Sequence, residues 1–303
     1  MKPKILVIVG PTASGKTSLA LDLAKRLNGE LISVDSRQVY RGMDIGTAKG
    51  KEEQWGIDLV DPDELFSVAD YKTYATNKTD EILSRGRLPI MVGGTGLWLR
   101  AVIDDLDLTK TARDPALREA LEARGLEDLF LEYQALDPAG AQVIDRDNKR
   151  RVVRALEVTK LTGKPWSEQQ TRGESKYDVL QIGLSVPREE LNERINKRVD
   201  EMIKSGLKIH QSSSGSDGGL VEEVRRLRER YGCEIESMTG IGYRQVCSYL
   251  EGQSTLDEAI EEIKKATRAY AKRQMTWFMR DERIVWVTNV SEAEKILRAF
   301  THP

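Results

Sequence analysis

The feature of this sequence that most constrains its fold is a glycine-rich segment near the start. Residues 10–17 fit the pattern G-x-x-x-x-G-K-[ST], with an apolar β-branched run at 5–9 before them and helically spaced apolar residues at 18–27 after them. A strand, a glycine loop and a helix in this order direct backbone N–H groups and the positive helix end towards phosphate oxygens. The expected phosphate loop consists of Gly10, Pro11, Thr12, Ala13, Ser14, Gly15, Lys16 and Thr17.

This loop predicts a di- or triphosphate ligand without saying which one. Lys16 is expected to reach the terminal phosphate, and the Thr17 hydroxyl is expected to hold Mg²⁺. Further apolar runs at 30–34, 88–92 and 179–186 have the composition of buried parallel strands. We therefore predict an α/β fold, with a P-loop NTPase-like parallel sheet and helices on both faces.

A change of pattern predicts an insertion in this core. Between 113 and 178 the chain has polar helical segments and no strand pattern. We expect a discontinuous core domain at 1–112 and 179–303, with a mainly helical insertion domain at 113–178. Serine and glycine dominate residues 207–219, which we expect to form a flexible loop.

The cysteines, histidines and apolar runs exclude several classes of protein. Cys233 and Cys247 form no C-x-x-C pair, so we expect neither a disulfide framework nor a zinc site. His210 and His302 are the only histidines, which argues against catalysis by a Ser-His or Cys-His pair. No apolar run is long enough for a signal peptide or a transmembrane helix, so we expect a cytoplasmic protein that does not contact membranes.

Two strand ends carry residues of interest, because ligands of open parallel sheets bind at this edge. Asp35 follows the second strand, where a helix cap and a catalytic group fit equally well. Gly93 and Gly94 follow the third, where ATP-hydrolysing P-loop enzymes usually carry an Asp for Mg²⁺. Glycine would let the backbone approach a ligand closely, with the Thr95 hydroxyl beside it. The missing Asp disfavours a kinase.

Basic residues cluster late in the chain, although the net charge is only −2. The segment 264–283 is strongly basic and interleaves Tyr270, Trp277 and Phe278 with its charges. The aromatic residues fit a buried helix face better than a platform for bases. The charges remain free for the phosphates of a nucleic acid. A second basic run at 147–154 has a solvated helix face as its ordinary explanation.

Taken together, the motifs resemble one family. GPTASGKT, VDSRQVYRGMDIGTAK, GGTGLW, NKRRVVRALEV, TGIGYRQV and AKRQMTWF occur in the order found in tRNA dimethylallyltransferases, over residues 5–287. The resemblance implies transfer of the dimethylallyl group of dimethylallyl diphosphate to N6 of adenine 37, beside the anticodon of certain tRNAs. It also implies that the phosphate loop holds the isoprenoid diphosphate rather than ATP. No cysteine pair follows residue 287, so the chain resembles the bacterial form rather than eukaryotic members with a zinc finger.

The resemblance implies roles for individual residues. Asp35 matches the general base, Thr95 its partner at the transfer site, and Arg198 the arginine that binds pyrophosphate. The implied tRNA contacts are Asp35, Ser36, Arg37, Gln38, Thr95, Arg118, Arg150, Arg151, Val152, Val153, Arg154, Thr239, Gly240, Ile241, Gly242, Tyr243, Arg244, Lys272, Arg273, Gln274 and Trp277. The expected partners are the anticodon stem-loop of tRNA and dimethylallyl diphosphate, with Mg²⁺ as cofactor and a monomeric protein. Relative to the family, residues 207–219 are an insertion.

Two other functions share the phosphate loop. A small-molecule kinase using ATP would employ Lys16 and Thr17, but it leaves the basic segment and the glycines after the third strand unexplained. A nucleotide-driven switch that binds RNA without modifying it would need a nucleotide-sensing segment. The sequence contains neither a guanine-specificity motif nor an assignable arginine finger.

Overall fold

The computed structural model describes residues 2–50, 53–108, 114–169, 173–205 and 219–301. Apart from Gly219, the predicted loop at 207–219 lies outside these residues. The core is a parallel sheet of five strands in the order β2-β3-β1-β4-β5. The strands are β1 (Lys4–Val9), β2 (Gly29–Val34), β3 (Leu88–Gly93), β4 (Asp178–Leu184) and β5 (Ile284–Val287).

Strand β1, which precedes the phosphate loop, lies in the middle of the sheet. Leu6 is in register with Ile90 of β3 and with Leu180 of β4. The whole run from Ile5 to Val9 is buried, as expected for a strand that is covered on both faces. The phosphate loop is therefore anchored on a fully enclosed central strand.

Helices fill most of the remaining described chain, together with one 3₁₀ helix at Glu236–Thr239. The α-helices are α1 (Lys16–Arg26), α2 (Val68–Ser84), α3 (Gly96–Ile103), α4 (Pro115–Glu122), α5 (Leu126–Leu136), α6 (Pro138–Val143), α7 (Lys149–Thr162), α8 (Trp166–Gln169), α9 (Arg188–Ser205), α10 (Gly219–Tyr231), α11 (Tyr243–Leu250), α12 (Leu256–Phe278) and α13 (Val290–Thr301). Within the described ranges, none of them is long and apolar enough to cross a bilayer.

Both faces of the sheet are covered by helices. On one face, Leu6 belongs to an apolar cluster with Leu19 of α1 and Leu297 of α13. On the other face, Val7 lies beside Phe278 of α12. Successive side chains of a strand point to opposite faces, so the continuous apolar run of β1 supplies both layers. The predicted P-loop-like α/β class is confirmed.

The chain divides into two compact units, one formed by Met1–Leu99 with Lys176–Pro303 and the other by Arg100–Ser175. The second unit is helical and packs around Leu129, Tyr133 and Leu156. Its observed start lies before the predicted boundary at 113. The turn after α3 lies in this unit and contacts Gly173. The contact is close, since a Cβ at Gly173 would lie 2.9 Å from Asp105 O.

The two cysteines form a disulfide, which corrects the expectation that the chain has no disulfide framework. Cys233 follows the end of α10, and Cys247 lies on α11, at a sequence separation of 14. The sequence spacing gave no signal for this pair because the packing of α10 against α11, rather than a local motif, brings the two residues together.

Candidate active site

The loop between β1 and α1 has the backbone of a ligand cradle. Ala13 and Gly15 adopt left-handed conformations, with φ of 65° and 92°, and Ser14 N–H donates to Pro11 O at 3.2 Å. Gly15 caps α1, whose free N–H groups and positive dipole end face the loop. The Ser14 hydroxyl is buried, and no group in the described residues bonds to it. Buried polar atoms are normally satisfied, so this hydroxyl is suited to a ligand oxygen.

Lys16 stands at the start of α1 with its ammonium directed back over the loop. Its Nζ donates to Pro11 O at 3.2 Å. Burial lowers the pKa of Lys16 from 10.5 to about 8; Asp35 opposes this shift and Arg198 adds to it. Burial also lowers the pKa of Arg198. Two poorly solvated cations beside one loop favour a strongly charged anion there.

Asp35 takes part in a local turn and also borders a cavity. Its Oδ1 accepts a hydrogen bond from Arg37 N–H at 2.8 Å, which is a local turn of the kind Asp favours. Its other oxygen receives no hydrogen bond from any described residue, and Asp35 lines a cavity. One oxygen is therefore structural, and the other is available for chemistry.

Thr95 is connected to Asp35 through neighbouring groups. Its Oγ1 accepts from Ser36 N–H at 3.2 Å, and it shares a hydrogen bond with the hydroxyl of Tyr270. Burial, with a further contribution from Asp35, raises the pKa of Tyr270 to about 12, although the Thr95 bond opposes the increase. Tyr270 was expected in the core. It is instead a half-buried cavity residue, and only the tertiary position of α12 reveals this.

A cavity of about 350 Å³ joins these groups. The predicted residues that line it are Thr12, Ala13, Asp35, Ser36, Arg37, Arg198, Thr239, Gly240, Ile241, Gly242, Tyr243 and Arg273. An apolar wall, formed by Ile195, Val199 and Met202 of α9 with Ile263 of α12, was not predicted. Its signal in the sequence was the i, i+4, i+7 spacing of Ile195, Val199 and Met202 on α9.

A divalent metal would find oxygen donors here rather than a closed protein site. The Thr17 hydroxyl begins α1, and the Asp35 carboxylate lies close enough to Lys16 to act on its pKa. Among the described residues, no three His, Cys, Asp or Glu side chains form a metal cluster. This donor set fits Mg²⁺, which usually takes one or two protein oxygens together with substrate phosphates and water.

Comparison with known proteins shows the family of this chain. A family model described as IPP transferase matches residues 38–281, and one described as Isopentenyl transferase matches residues 3–56. The chain belongs to the IPP transferase family.

Several members of the IPP transferase family align with almost the whole chain. A tRNA dimethylallyltransferase of Acetivibrio thermocellus is 44% identical over 310 residues, which span 97% of this chain and 95% of that protein. A crystal structure of a full-length tRNA isopentenylpyrophosphate transferase from Bacillus halodurans has 40% identity and a TM-score of 0.71, covering 99% of this chain and 96% of that one. A eukaryotic dimethylallyltransferase acting on tRNA has 28% identity and a TM-score of 0.78, covering 99% and 78%.

Two of the expected tRNA contacts in this IPP transferase lie against the end of β3. Gln274 is 5% exposed; its Oε1 accepts from Thr12 N–H at 2.8 Å and its Nε2 donates to Gly94 O at 3.0 Å. A Cβ at Gly94 would lie 2.0 Å from Gln274 Nε2, and one at Gly96 would lie 2.1 Å from Trp277 Nε1. The glycines at this strand end thus admit side chains of α12, which corrects the expectation that Gly94 approaches a ligand.

Several further predicted contacts hold the cavity wall together. Arg37 donates to Glu236 O at 2.9 Å, Ser237 O at 3.1 Å and Thr239 Oγ1 at 3.2 Å. Gln38 accepts from the Ser33 hydroxyl and donates to Thr47 O.

The remaining predicted residues of the first unit differ in exposure. Tyr243 is buried, so its ring is part of the wall rather than an exposed contact surface. Arg244, Lys272 and Arg273 are exposed.

In the helical unit the structure separates exposed from buried positions on α7. Arg150 and Arg151 are exposed. Val152 and Val153 belong to the apolar cluster of this unit, which corrects their assignment as tRNA contacts, because the other side of an amphipathic helix must be buried.

Glu157 on the same helix was not predicted. It is fully buried and accepts from Arg118 Nη2 at 2.8 Å and Arg154 Nη1 at 2.6 Å. It thereby fixes the guanidinium groups of two predicted RNA contacts.

Proposed function

We propose that this chain transfers the dimethylallyl group of dimethylallyl diphosphate to N6 of adenine 37 in the anticodon loop of tRNA. Membership in the IPP transferase family supports a tRNA prenyl transferase. The observation that carries the finer proposal is that one cavity joins the phosphate loop, a carboxylate and an apolar wall. The reaction must hold a diphosphate, activate an amine and enclose an isoprenoid chain, and the cavity has one feature for each task.

The diphosphate is proposed to lie in the loop at the start of α1. The Ser14 hydroxyl and the backbone N–H groups would donate to its oxygens, and Lys16 and Arg198 would neutralise its charge. Mg²⁺ held by the Thr17 hydroxyl would withdraw electron density from the phosphate oxygens. Because the leaving group departs as an anion, no protein acid has to protonate it, which suits a cavity whose described lining residues include no histidine.

The acceptor side is proposed to depend on Asp35. The adenine N6 amine is a weak nucleophile, because its lone pair is delocalised into the ring. As the bond from N6 to C1 of the isoprenoid forms, the C1–O bond breaks and its electron pair leaves on the diphosphate. Asp35 would take the N6 proton with the oxygen that Arg37 leaves free. Thr95, between Tyr270 and Ser36, would fix the geometry of this exchange.

The target adenine must leave its stack to reach the cavity, at a cost of roughly a few kcal/mol. Phosphate contacts distributed over the RNA offset such a cost. We assign these contacts to the exposed Arg244, Lys272 and Arg273 of the first unit and to Arg150 and Arg151 of the helical unit. We further propose that the protein acts as a monomer. A tRNA substrate supports a cytoplasmic location.

The test is a transfer assay with radiolabelled dimethylallyl diphosphate and, in parallel, γ-labelled ATP. The acceptors are two anticodon stem-loops, with adenine or guanine at the target position. We expect label to pass only from dimethylallyl diphosphate and only to the adenine-containing RNA. Transfer of phosphate from ATP, or equal labelling of both RNAs, would contradict the proposal.

A further inference from the structure

A buried carboxylate outside the catalytic group connects two walls of the cavity. Glu223 of α10 is 2% exposed. Its Oε2 accepts from Asp44 N–H at 3.0 Å and Ile45 N–H at 2.7 Å. Its Oε1 accepts from Gly46 N–H at 3.1 Å and the Tyr243 hydroxyl at 2.6 Å. An ionised carboxylate only accepts, at about four positions, and here each position meets one donor.

Both sets of partners belong to segments that line the cavity. The first segment is the turn at 44–46, and both its last residue, Gly46, and the following Ala48 line the cavity. The second segment runs from Thr239 to Tyr243, and all of its residues line the cavity. The segments also touch, since a Cβ at Gly46 would lie 2.4 Å from the Tyr243 ring. Neither segment belongs to the sheet, so the shared carboxylate supplies a fixed point that the sheet does not.

We propose that Glu223 is a positioning residue for prenyl transfer, which holds these two segments at the separation that the reacting groups require. The proposal rests on the proposed function and extends it to a residue that contacts neither substrate. A misplacement of about 1 Å in an active site can lower a rate by roughly 10²-fold. A contact that fixes the cavity walls is therefore expected to act on the transfer step more than on RNA affinity.

Glu223→Gln tests this with almost no change of shape. The amide replaces one acceptor oxygen with an NH₂ donor, which then faces two groups that are donors themselves. We expect kcat at saturating RNA and donor to fall roughly 10- to 100-fold. The Kd for the stem-loop is set largely by phosphate contacts, so we expect it to change less than about threefold.

A matched control exists in the helical unit. Asp137 is 1% exposed and accepts from Gly140 N–H at 2.8 Å and from Ser167 N–H at 2.8 Å. It also accepts from the Tyr133 hydroxyl at 3.0 Å and the Ser167 hydroxyl at 2.6 Å. It is thus a buried carboxylate that also meets four donors, two N–H groups and two hydroxyls instead of three and one, but it does not line the cavity.

The control variant is Asp137→Asn, and the tyrosine partners provide a milder pair, Tyr243→Phe and Tyr133→Phe. The Tyr243 hydroxyl is used by Glu223, so its removal tests the network. We expect Tyr243→Phe to lower kcat roughly three- to tenfold. The effect is smaller than that of Glu223→Gln because the variant only removes one donor, whereas the glutamine places an NH₂ group against donors. Tyr133→Phe and Asp137→Asn should lower Tm but keep the wild-type kcat. If Glu223→Gln does not fold, the tyrosine pair decides.

For each full-length variant we would measure kcat, the single-turnover rate and the stem-loop Kd at a temperature below its unfolding transition. Tm is measured separately. A selective loss of rate in the Glu223 and Tyr243 variants supports positioning. The proposal is overturned if those variants keep kcat within twofold. It is also overturned if Asp137→Asn or Tyr133→Phe loses rate to the same extent, since the effect is then general destabilisation. If the wild-type protein itself fails to transfer, the proposed function falls first and this inference with it.

Discussion

Gln274 Oε1 accepts a hydrogen bond from the backbone N–H of Thr12 at 2.8 Å, across a separation of 262 positions. The same amide donates to Gly94 O at 3.0 Å, so one buried side chain of α12 fixes both the phosphate loop and the end of β3. The helix with the exposed Lys272 and Arg273 is thereby coupled to the proposed donor site through a residue that is itself shielded from RNA.

Gln274→Ala should weaken the donor site more than RNA binding. It leaves the Thr12 N–H and the Gly94 carbonyl without their partner, which costs about 1–3 kcal/mol in stability. Because Thr12 lines the cavity, we expect weaker binding of dimethylallyl diphosphate, by roughly tenfold for each 1.4 kcal/mol lost there. Calorimetry gives the affinity. The matched control is Lys272→Ala, which should weaken stem-loop binding and leave donor affinity unchanged; the opposite pattern would refute the division of roles.

Donor affinity should decrease at alkaline pH because of Lys16. Its pKa of about 8 means that the cation is present below pH 8 and lost above it. A bound diphosphate favours the charged form, so affinity should be highest below pH 8 and about tenfold weaker at pH 9. We would measure the Kd of dimethylallyl diphosphate without divalent metal. Lys16→Ala should bind weakly with a flat profile, and an equally steep profile in that variant would assign the titration to another group.

Two substitutions at Asp35 separate its two oxygens. Asp35→Asn keeps an acceptor for the Arg37 N–H but removes the base, whereas Asp35→Ala removes both. If Asp35 is the general base, each variant should lose roughly 10²–10⁴ in single-turnover rate, with little change in stem-loop affinity. If Asp35→Asn keeps the wild-type rate and only Asp35→Ala loses it, the residue is a structural turn former.

Arg150 and Arg151 should contribute to RNA affinity through counterion release. Replacing both with Ala should weaken stem-loop binding and reduce the slope of log K against log salt by about 0.9 for each lost phosphate contact. Transfer at saturating RNA should change little. Lys160→Ala on the same helix is the control, since Lys160 is paired with Glu132. Equal slopes for the double variant and the wild type would make the arginines a solvated helix face.

The sheet was largely predictable because burial leaves a clear pattern in sequence. Strands β1 to β4 are mostly apolar, since both of their faces are covered. Strand β5 (Ile284–Val287) was missed: it is short, lies at the edge and leaves Val285 42% exposed, so its pattern is weak. The short helices α3 and α11 each follow glycine-rich turns, whose composition indicated a loop.

The site was predictable where it lies on local motifs and not where it depends on distant contacts. Asp35 and Arg198 were named before the structure, and both line the cavity. Glu223 was missed because a glutamate in the first turns of an amphipathic helix normally faces solvent. Its burial depends on a turn 177 positions earlier in the chain. For Val152 and Val153 the sequence predicted exposed tRNA contacts, but both side chains are buried. A motif does not state which side of a helix is exposed.

The central position of β1 has a consequence for the order in which the protein folds during synthesis. Its two neighbours are β3 and β4, and β4 follows the whole helical unit in sequence. At roughly 5–20 residues per second, β4 leaves the ribosome on the order of ten to thirty seconds after β1. The helical unit, which is contiguous in sequence, can pack during this delay, while one edge of β1 still lacks its partner strand. The phosphate loop is encoded first, yet it belongs to the part of the nascent chain that is completed late.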